Sequence, residues 1–181
     1  MKLLKFFMAI LFFTAVFSCR NSENPEDIHE HEEANKITLT ITENGTTNLQ
    51  SVSFQSGTGA SAPILLENGK VYDVSVAFYH HHNGIDEDLT SEIIEEKDEH
   101  FLKYQFAGIS VNVLRTADDV VRSDNQKLGL KTKWTVQSAP SNAVAIIQLI
   151  HAADAVNDSD HNGGGSATGG EADVNAQFII Q

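Results

Sequence analysis

Apolar and polar residues alternate along most of the chain after Lys36, which is the pattern of half-buried β-strands. Ile37, Leu39 and Ile41 alternate with threonines, and Asn44-Gly45 then supplies a tight-turn signal. Alternation or a short apolar run recurs at 49–54, 72–78, 102–106, 111–113, 130–136, 144–150 and 174–180. Short runs separated by turn residues predict an all-β fold, a single antiparallel β-sandwich of about eight strands over residues 36–181.

One segment breaks this strand pattern. Residues 88–98 contain good helix formers and an acidic first turn, and they place Leu89 and Ile93 four residues apart. We therefore predict one short helix near 88–98, inserted between strands. The expected architecture is a sandwich of the immunoglobulin or transthyretin-like kind.

The first 18 residues have a different character from the rest of the chain. Lys2 and Lys5 lead into an apolar run at 6–17, which suits a signal-peptide core and is too short to cross a bilayer as an ordinary helix. Cys19, the only cysteine of the chain, follows at once. This arrangement resembles a bacterial lipobox and implies cleavage before Cys19 and lipid attachment to it. Arg20 at the next position resembles outer-membrane rather than inner-membrane retention, with the protein facing the periplasm or the cell surface.

Residues 19–35 form a polar, acidic stretch with one proline and no aromatic residue. Such a composition cannot bury enough apolar surface to order itself, so we predict a flexible tether. The expected organisation is a lipoprotein signal peptide at 1–18, the tether at 19–35 and a β-sandwich domain at 36–181.

Charge and cysteine content exclude several classes of function. The chain has 25 Asp and Glu against 12 Lys and Arg, a formal net charge of −13. Nucleic acid is not an expected partner, because its phosphates require basic side chains. The single cysteine excludes a disulfide within one chain. We expect no enzyme, since the sequence contains neither a Gly-x-Ser-x-Gly elbow nor a His-Glu-x-x-His motif.

Histidine is unusually frequent, with 8 residues in this acidic chain. Imidazole and carboxylate together are the ligand set of zinc and similar metals when thiolates are absent. His80, His81 and His82 follow the strand predicted at 72–78. If that strand continues, His80 and His82 share one face and can share a metal. The alternative is a solvated loop tip, because Asn83-Gly84 comes next.

Two further histidines lie at strand ends. His100 shares a face with the apolar residues of 102–106, and its alternative role is that of a core-edge histidine bonded to a carbonyl. His151 closes a very apolar strand where the chain enters a polar loop. Glu171 and Asp173 precede the last strand, on the face opposite its apolar residues. If the loop between His151 and Glu171 folds back, these two residues can supply oxygen ligands. The alternative is that they only keep an edge strand soluble.

A partial calcium-loop motif begins at Asp158. Asp158, Asp160 and Asn162 match the start of a D-x-D-x-N-G loop, in which alternate oxygens bind the ion. Position 12 of that loop is Gly169, so the closing bidentate acid is missing. We therefore do not expect calcium, and the alternative is a disordered acidic loop.

Four short motifs together resemble those of a known group of proteins. They are Glu99-His100, Leu128-Gly129-Leu130 with Trp134, His151, and Gly170-Glu171-x-Asp173. The set is similar to small Bacteroidetes outer-membrane lipoproteins that accompany TonB-dependent receptors, and the similarity covers residues 36–181. It implies a surface or periplasmic accessory β-domain without enzymatic activity.

The sequence thus predicts a non-enzymatic, lipid-anchored accessory protein that binds a divalent transition metal, zinc first, for uptake or handling. His100 and His151 would be site ligands, with oxygen from Glu171 or Asp173. His80–His82, with His29 and His31 of the tether, would form a flexible collecting tract. The alternative is an interaction module that docks on a TonB-dependent receptor or another surface protein and has no metal role.

Overall fold

The computed structural model describes residues 33–181, which form twelve β-strands, one short α-helix and one 3-10 turn. The strands are β1 (Lys36–Glu43), β2 (Leu49–Gln55), β3 (Gly59–Ala60), β4 (Val71–His82), β5 (Ile85–Asp88), β6 (His100–Ala107), β7 (Val111–Arg115), β8 (Lys131–Val136), β9 (Ala143–His151), β10 (Ala155–Asn157), β11 (Ser166–Thr168) and β12 (Glu171–Ile180). Helix α1 (Thr90–Glu95) follows β5, and the 3-10 turn occupies His161–Gly163.

Seven strands form the larger sheet. Six of them lie in the order β3-β2-β1-β4-β8-β7, and β5 pairs with the last four residues of β4. Alternate residues of β1 point inward as the sequence predicts, and Ile37, Leu39 and Ile41 are fully buried. Each strand pair in this sheet is antiparallel. The two-residue periodicity therefore translates directly into one buried and one solvated face.

The smaller sheet has three strands in the order β12-β9-β6, and β10 and β11 form a separate small hairpin. Strand β9 is central, so it pairs antiparallel with both neighbours. Its inward face is buried and its other face is partly buried, in keeping with its nearly continuous apolar sequence. The predicted all-β antiparallel sandwich with one short helix is confirmed.

Aromatic side chains join the inner faces of the two sheets. Trp134 of β8 is fully buried and packs edge-on against Phe106 of β6, with ring centroids 5.0 Å apart. Phe54 and Phe178 make a similar contact between β2 and β12 at 6.2 Å. One continuous hydrophobic core therefore fills the space between the sheets.

Arginine side chains cover part of the outer edge of β6. Arg115 donates from Nη2 to the Leu102 carbonyl at 2.7 Å and from Nη1 to the Lys127 carbonyl at 3.0 Å. Its guanidinium lies over the Phe101 ring, 4.5 Å from the centroid. The outer face is thus covered at the start of β6, which buries Phe101 on the side that simple alternation assigns to solvent, while Gln105 further along that face is exposed.

Several details differ from the sequence prediction. Strand β4 continues to His82 and turns through Asn83-Gly84 into β5, so the triplet lies in a paired strand and is not a loop tip. The helix occupies only Thr90–Glu95 within the predicted window. A disordered acidic loop is one sequence-based expectation for the segment that follows Asp158. In the structure, residues 155–168 instead contain β10, the 3-10 turn and β11.

The contacts of the domain begin before Lys36. Ala34 is buried, and the side-chain amide of Asn35 donates to the His81 carbonyl at 3.1 Å. The predicted signal peptide, Cys19, and His29 and His31 of the tether lie outside the described residues.

Candidate functional site

The structure brings His100 and His151 together, a point that the sequence left open. They are direct partners across β6 and β9, and their rings stack with centroids 5.0 Å apart and planes 19° from parallel. His100 is buried and His151 is half-buried. We call these two residues the histidine pair, and it lies at the end of the smaller sheet.

The third strand of that sheet supplies the carboxylates. Glu171 lies directly opposite His151 in the pairing of β12 with β9. The register then shifts between Ala172 and Val174, so Asp173 is the extra residue of a β-bulge. A bulge redirects side chains from simple alternation. Asp173 Oδ2 accordingly lies 3.7 Å from His100 Nε2, which places it beside the histidine pair.

Hydrogen bonding fixes which nitrogen of His100 can bind a ligand. Its Nδ1–H donates to the carbonyl of Glu96 at 3.1 Å, because a carbonyl can only accept. The neutral ring therefore carries its lone pair on Nε2, the atom that faces Asp173. A histidine held through one nitrogen by a backbone carbonyl is the usual arrangement behind a metal ligand.

A further carboxylate approaches the second histidine. Glu99 Oε2 lies 3.3 Å from His151 Nε2, within hydrogen-bond distance, so this nitrogen carries the proton when the bond forms. Glu99 belongs to a run of acids at 95–99 that is typical of a solvated face, so nothing in the sequence assigns it an individual role. Its side chain is indeed exposed.

The protonation states suit a neutral imidazole next to a carboxylate. Burial lowers the pKa of His100, and the charge of His151 lowers it further. Burial also raises the pKa of Asp173, although the charges of His151 and His100 oppose that rise. His100 is therefore held in its neutral form near pH 7, the form that coordinates metals.

Arg122 holds the segment that precedes His100, and nothing in the sequence marks it for this role. Its Nη1 donates to the Lys97 carbonyl at 2.9 Å and also to the His100 carbonyl. Asp98 adds a second attachment by accepting from the Ser123 amide at 2.7 Å. The backbone of His100 is thereby fixed from outside its own sheet.

The spacing of the side chains meets part of what a metal ion requires. Two ligands of a tetrahedral zinc ion lie about 3.4 Å apart, close to the 3.7 Å between His100 Nε2 and Asp173 Oδ2. Among residues 33–181, however, no three His, Cys, Asp or Glu side chains stand together as a complete metal-binding group. His151 is the remaining candidate for a third ligand, and its Nε2 contacts Glu99 in the structure.

The three hairpin histidines divide between the two faces of β4. His80 and His82 share one face, with ring centroids 6.1 Å apart and planes 15° from parallel. His81 Nδ1 pairs instead with Asp86 Oδ1 across the hairpin. The triplet therefore does not act as a single set of neighbouring ligands.

The partial calcium motif is used in local hydrogen bonds. Asp158 Oδ2 accepts from the Lys127 amide at 2.9 Å, and Asp160 Oδ2 accepts from the Ser166 hydroxyl at 2.7 Å. Asn162 adopts a positive φ of 59° inside the 3-10 turn. These contacts fold the loop against its neighbours and give the motif a structural purpose without an ion.

No family model, no curated protein and no solved structure matches this chain. Among the residues described, no helix is long and apolar enough to cross a membrane.

Proposed function

We propose that this protein is a non-enzymatic, lipid-anchored accessory protein of the bacterial outer membrane that binds a divalent transition metal, zinc first. The proposed ligands are His100 and His151 with Asp173, and Glu171 lies at the rim of the site. The anchor would be a lipid on Cys19, and the metal would be held for uptake or handling.

The observation that carries this proposal is that residues from three strands meet beside the His100 ring. Three separate segments of chain contribute His100, His151 and Asp173, and the β-bulge brings the carboxylate within 3.7 Å of that nitrogen. Bulges of this kind are frequent next to functional sites because they redirect one side chain. A buried imidazole whose other nitrogen is held by a carbonyl is oriented before any ion arrives.

Metal binding at this site would depend on pH in a defined direction. Zinc competes with protons for the imidazole nitrogens, so the apparent affinity should fall as the pH drops below about 6. The lowered pKa of His100 keeps that ligand neutral to a lower pH than an exposed histidine.

Zinc titration calorimetry on the purified protein tests the proposal. We expect a dissociation constant below about 1 µM, equivalent to about −8 kcal/mol. Changing both histidines, His100→Ala with His151→Ala, should weaken binding at least tenfold. Asp173→Asn keeps the size of the side chain and should also weaken binding, which covers the case in which the double variant does not fold.

His161→Ala is the control, because His161 is a solvent-exposed histidine of the 3-10 turn and belongs to neither strand of the histidine pair. Circular dichroism on every variant shows whether the β-sheet content is retained. If folded His100→Ala/His151→Ala protein binds zinc as tightly as the unchanged protein, the site proposed here is wrong.

A second candidate function is docking on a TonB-dependent receptor or another surface protein. Leu49 and Leu65 are 62% and 55% exposed, and both line a groove of about 570 Å³ with Tyr72 and Gln181. Exposed apolar side chains beside a groove favour a protein contact. Leu49→Ser with Leu65→Ser should abolish receptor co-purification while leaving zinc binding unchanged if docking is the function.

A further inference from the structure

The hairpin formed by β4 and β5 extends beyond the main body of the larger sheet and presents its own set of ligands. His80 and His82 are two residues apart on β4, so both side chains leave the same face. Their rings lie face to face with centroids 6.1 Å apart. Two histidines in this relation can reach one ion from a single strand.

The register of the hairpin adds a carboxylate to that face. Glu87 of β5 is the direct partner of His80 on β4. Directly opposed residues in an antiparallel pair have their side chains on the same face, with Cβ atoms about 5 Å apart. Glu87 therefore stands beside His80 and diagonally across from His82.

His81 is excluded from this face. Its Nδ1 pairs with Asp86, and the other carboxylate oxygen of Asp86 pairs with Lys36. These contacts lie on the opposite face of the hairpin, where they hold β5 against β4. The middle histidine of the triplet therefore has a structural partner, and its two neighbours share a different environment.

The backbone of the hairpin is fixed on both sides of this histidine set. Asn35 bridges to the main chain of β4, accepting from the His81 amide at 2.7 Å and donating to the His81 carbonyl at 3.1 Å. His80 Nδ1–H donates to the Glu33 carbonyl at 3.0 Å, which places the lone pair of the neutral ring on Nε2. The strand is thus rigid and His80 is oriented.

We propose that His80, His82 and Glu87 form a second transition-metal site on the β4–β5 hairpin, which we call the hairpin site. It uses different residues from the histidine pair and belongs to the larger sheet. Glu33 is near both groups, because its carbonyl accepts from His80 and its charge adds to the burial that raises the pKa of Asp173. The ligand class is a divalent ion that accepts imidazole nitrogen and carboxylate oxygen, such as zinc or copper(II).

Binding would need side-chain rotation but no change of the backbone. The rings are 6.1 Å apart, while two nitrogens on one zinc ion lie about 3.4 Å apart. Among the described residues, His80, His82 and Glu87 do not yet stand together as a complete metal-binding group. His82 and Glu87 are exposed, so these two side chains have room to turn toward His80. We expect an affinity weaker than that of the histidine pair, because these side chains lose rotamer freedom on binding.

Zinc titration calorimetry with single variants tests the hairpin site. His82→Ala should remove one equivalent of bound zinc or weaken that equivalent at least tenfold, and Glu87→Gln should weaken it about threefold or more. His81→Asn is the matched control on the same strand, because an amide can still donate to Asp86 and keep β5 paired to β4, and it should leave this equivalent unchanged. If His81→Asn weakens binding as much as His82→Ala, the assignment of ligands is wrong and so is the hairpin site.

Repeating the titration in the His100→Ala/His151→Ala background separates this inference from the proposed function. Zinc binding that persists there and disappears with His82→Ala supports the hairpin site, whatever becomes of the histidine pair. Zinc binding that is lost in that background, and is unaffected by His82→Ala in the unchanged protein, overturns the hairpin site and leaves the proposed function standing.

Discussion

Tyr104 of β6 is fully buried, and its hydroxyl donates to the carbonyl of Gly129. A phenolate at this place would lose both water and that hydrogen bond. Burial accordingly raises the pKa of Tyr104 far above its ordinary value of 10.0. The hydroxyl thus stays protonated in the folded protein at pH values where it ionises in the unfolded chain.

This difference predicts how stability changes in alkali. The contribution of Tyr104 is fully present below about pH 10, the pKa of the unfolded chain. It is lost as the pH rises above that value, by about 1.4 kcal/mol per pH unit. Urea unfolding between pH 8 and 11 should show the decline. Tyr104→Phe should remove this part of the decline. Tyr79→Phe is the control and should keep it, because Tyr104 is intact. Equal slopes of unfolding free energy against pH in the two variants would contradict the prediction.

At the scale of elements, the segment between α1 and β6 depends on Arg122. The guanidinium donates to the carbonyls of Lys97 and His100, and it also pairs with Asp124 at 3.1 Å. A buried carbonyl that loses its donor costs about 1–3 kcal/mol. This one side chain therefore fixes both the end of the helical turn and the first residue of β6.

We expect Arg122→Met to lower the free energy of unfolding by about 1–3 kcal/mol. It should also speed amide hydrogen exchange at residues 98–101, because the segment opens locally when its attachment is removed. Lys70→Met is the control, since the Lys70–Glu43 ion pair is exposed and should contribute little. Unchanged exchange at 98–101 in Arg122→Met would show that the segment is held by other contacts.

The long strands could be predicted from the sequence because each buries one face, and burial leaves a two-residue pattern. The hairpin at Ile85–Asp88 could not, because all four residues are exposed and carry no apolar alternation. Asp86–Asp88 also looks like the acidic start of a helix, which hid the strand. Its pairing comes from backbone hydrogen bonds after the Asn83-Gly84 turn, and those bonds are compatible with many side chains.

The candidate site also contains features that no local sequence pattern predicts. The sequence singled out His100 and His151 by their place at strand ends, and the structure makes them neighbours. Strict alternation predicts Asp173 on the face away from Val174, but the β-bulge redirects it toward His100. A bulge depends on the pairing of two strands that are distant in sequence, so no local sequence pattern predicts the bulge. Arg122 is unmarked for the same reason, since its partners are main-chain carbonyls.

At the scale of the whole molecule, neither sheet has a hydrophobic core of its own. The inner faces meet through contacts such as Tyr104 with Trp134, whose ring centroids are 5.9 Å apart. Separating the sheets would expose both inner faces to water at once, which is unfavourable by about 25 cal/mol for each Å² of apolar surface. The 149-residue segment from 33 to 181 should therefore unfold as one unit.

Trp134 is the only tryptophan of the chain and reports on the inter-sheet core directly. We expect its fluorescence and the far-UV circular dichroism to change at the same urea concentration, because loss of the core and loss of the strands are one event. Phe106→Leu removes the edge-on ring contact from the smaller sheet and should shift both transitions to lower urea by the same amount. A fluorescence change that precedes the dichroism change would mean that the sheets separate before their strands unfold. In that case the histidine pair on the smaller sheet and the hairpin histidines on the larger sheet would belong to independently stable parts, and zinc would protect each part separately.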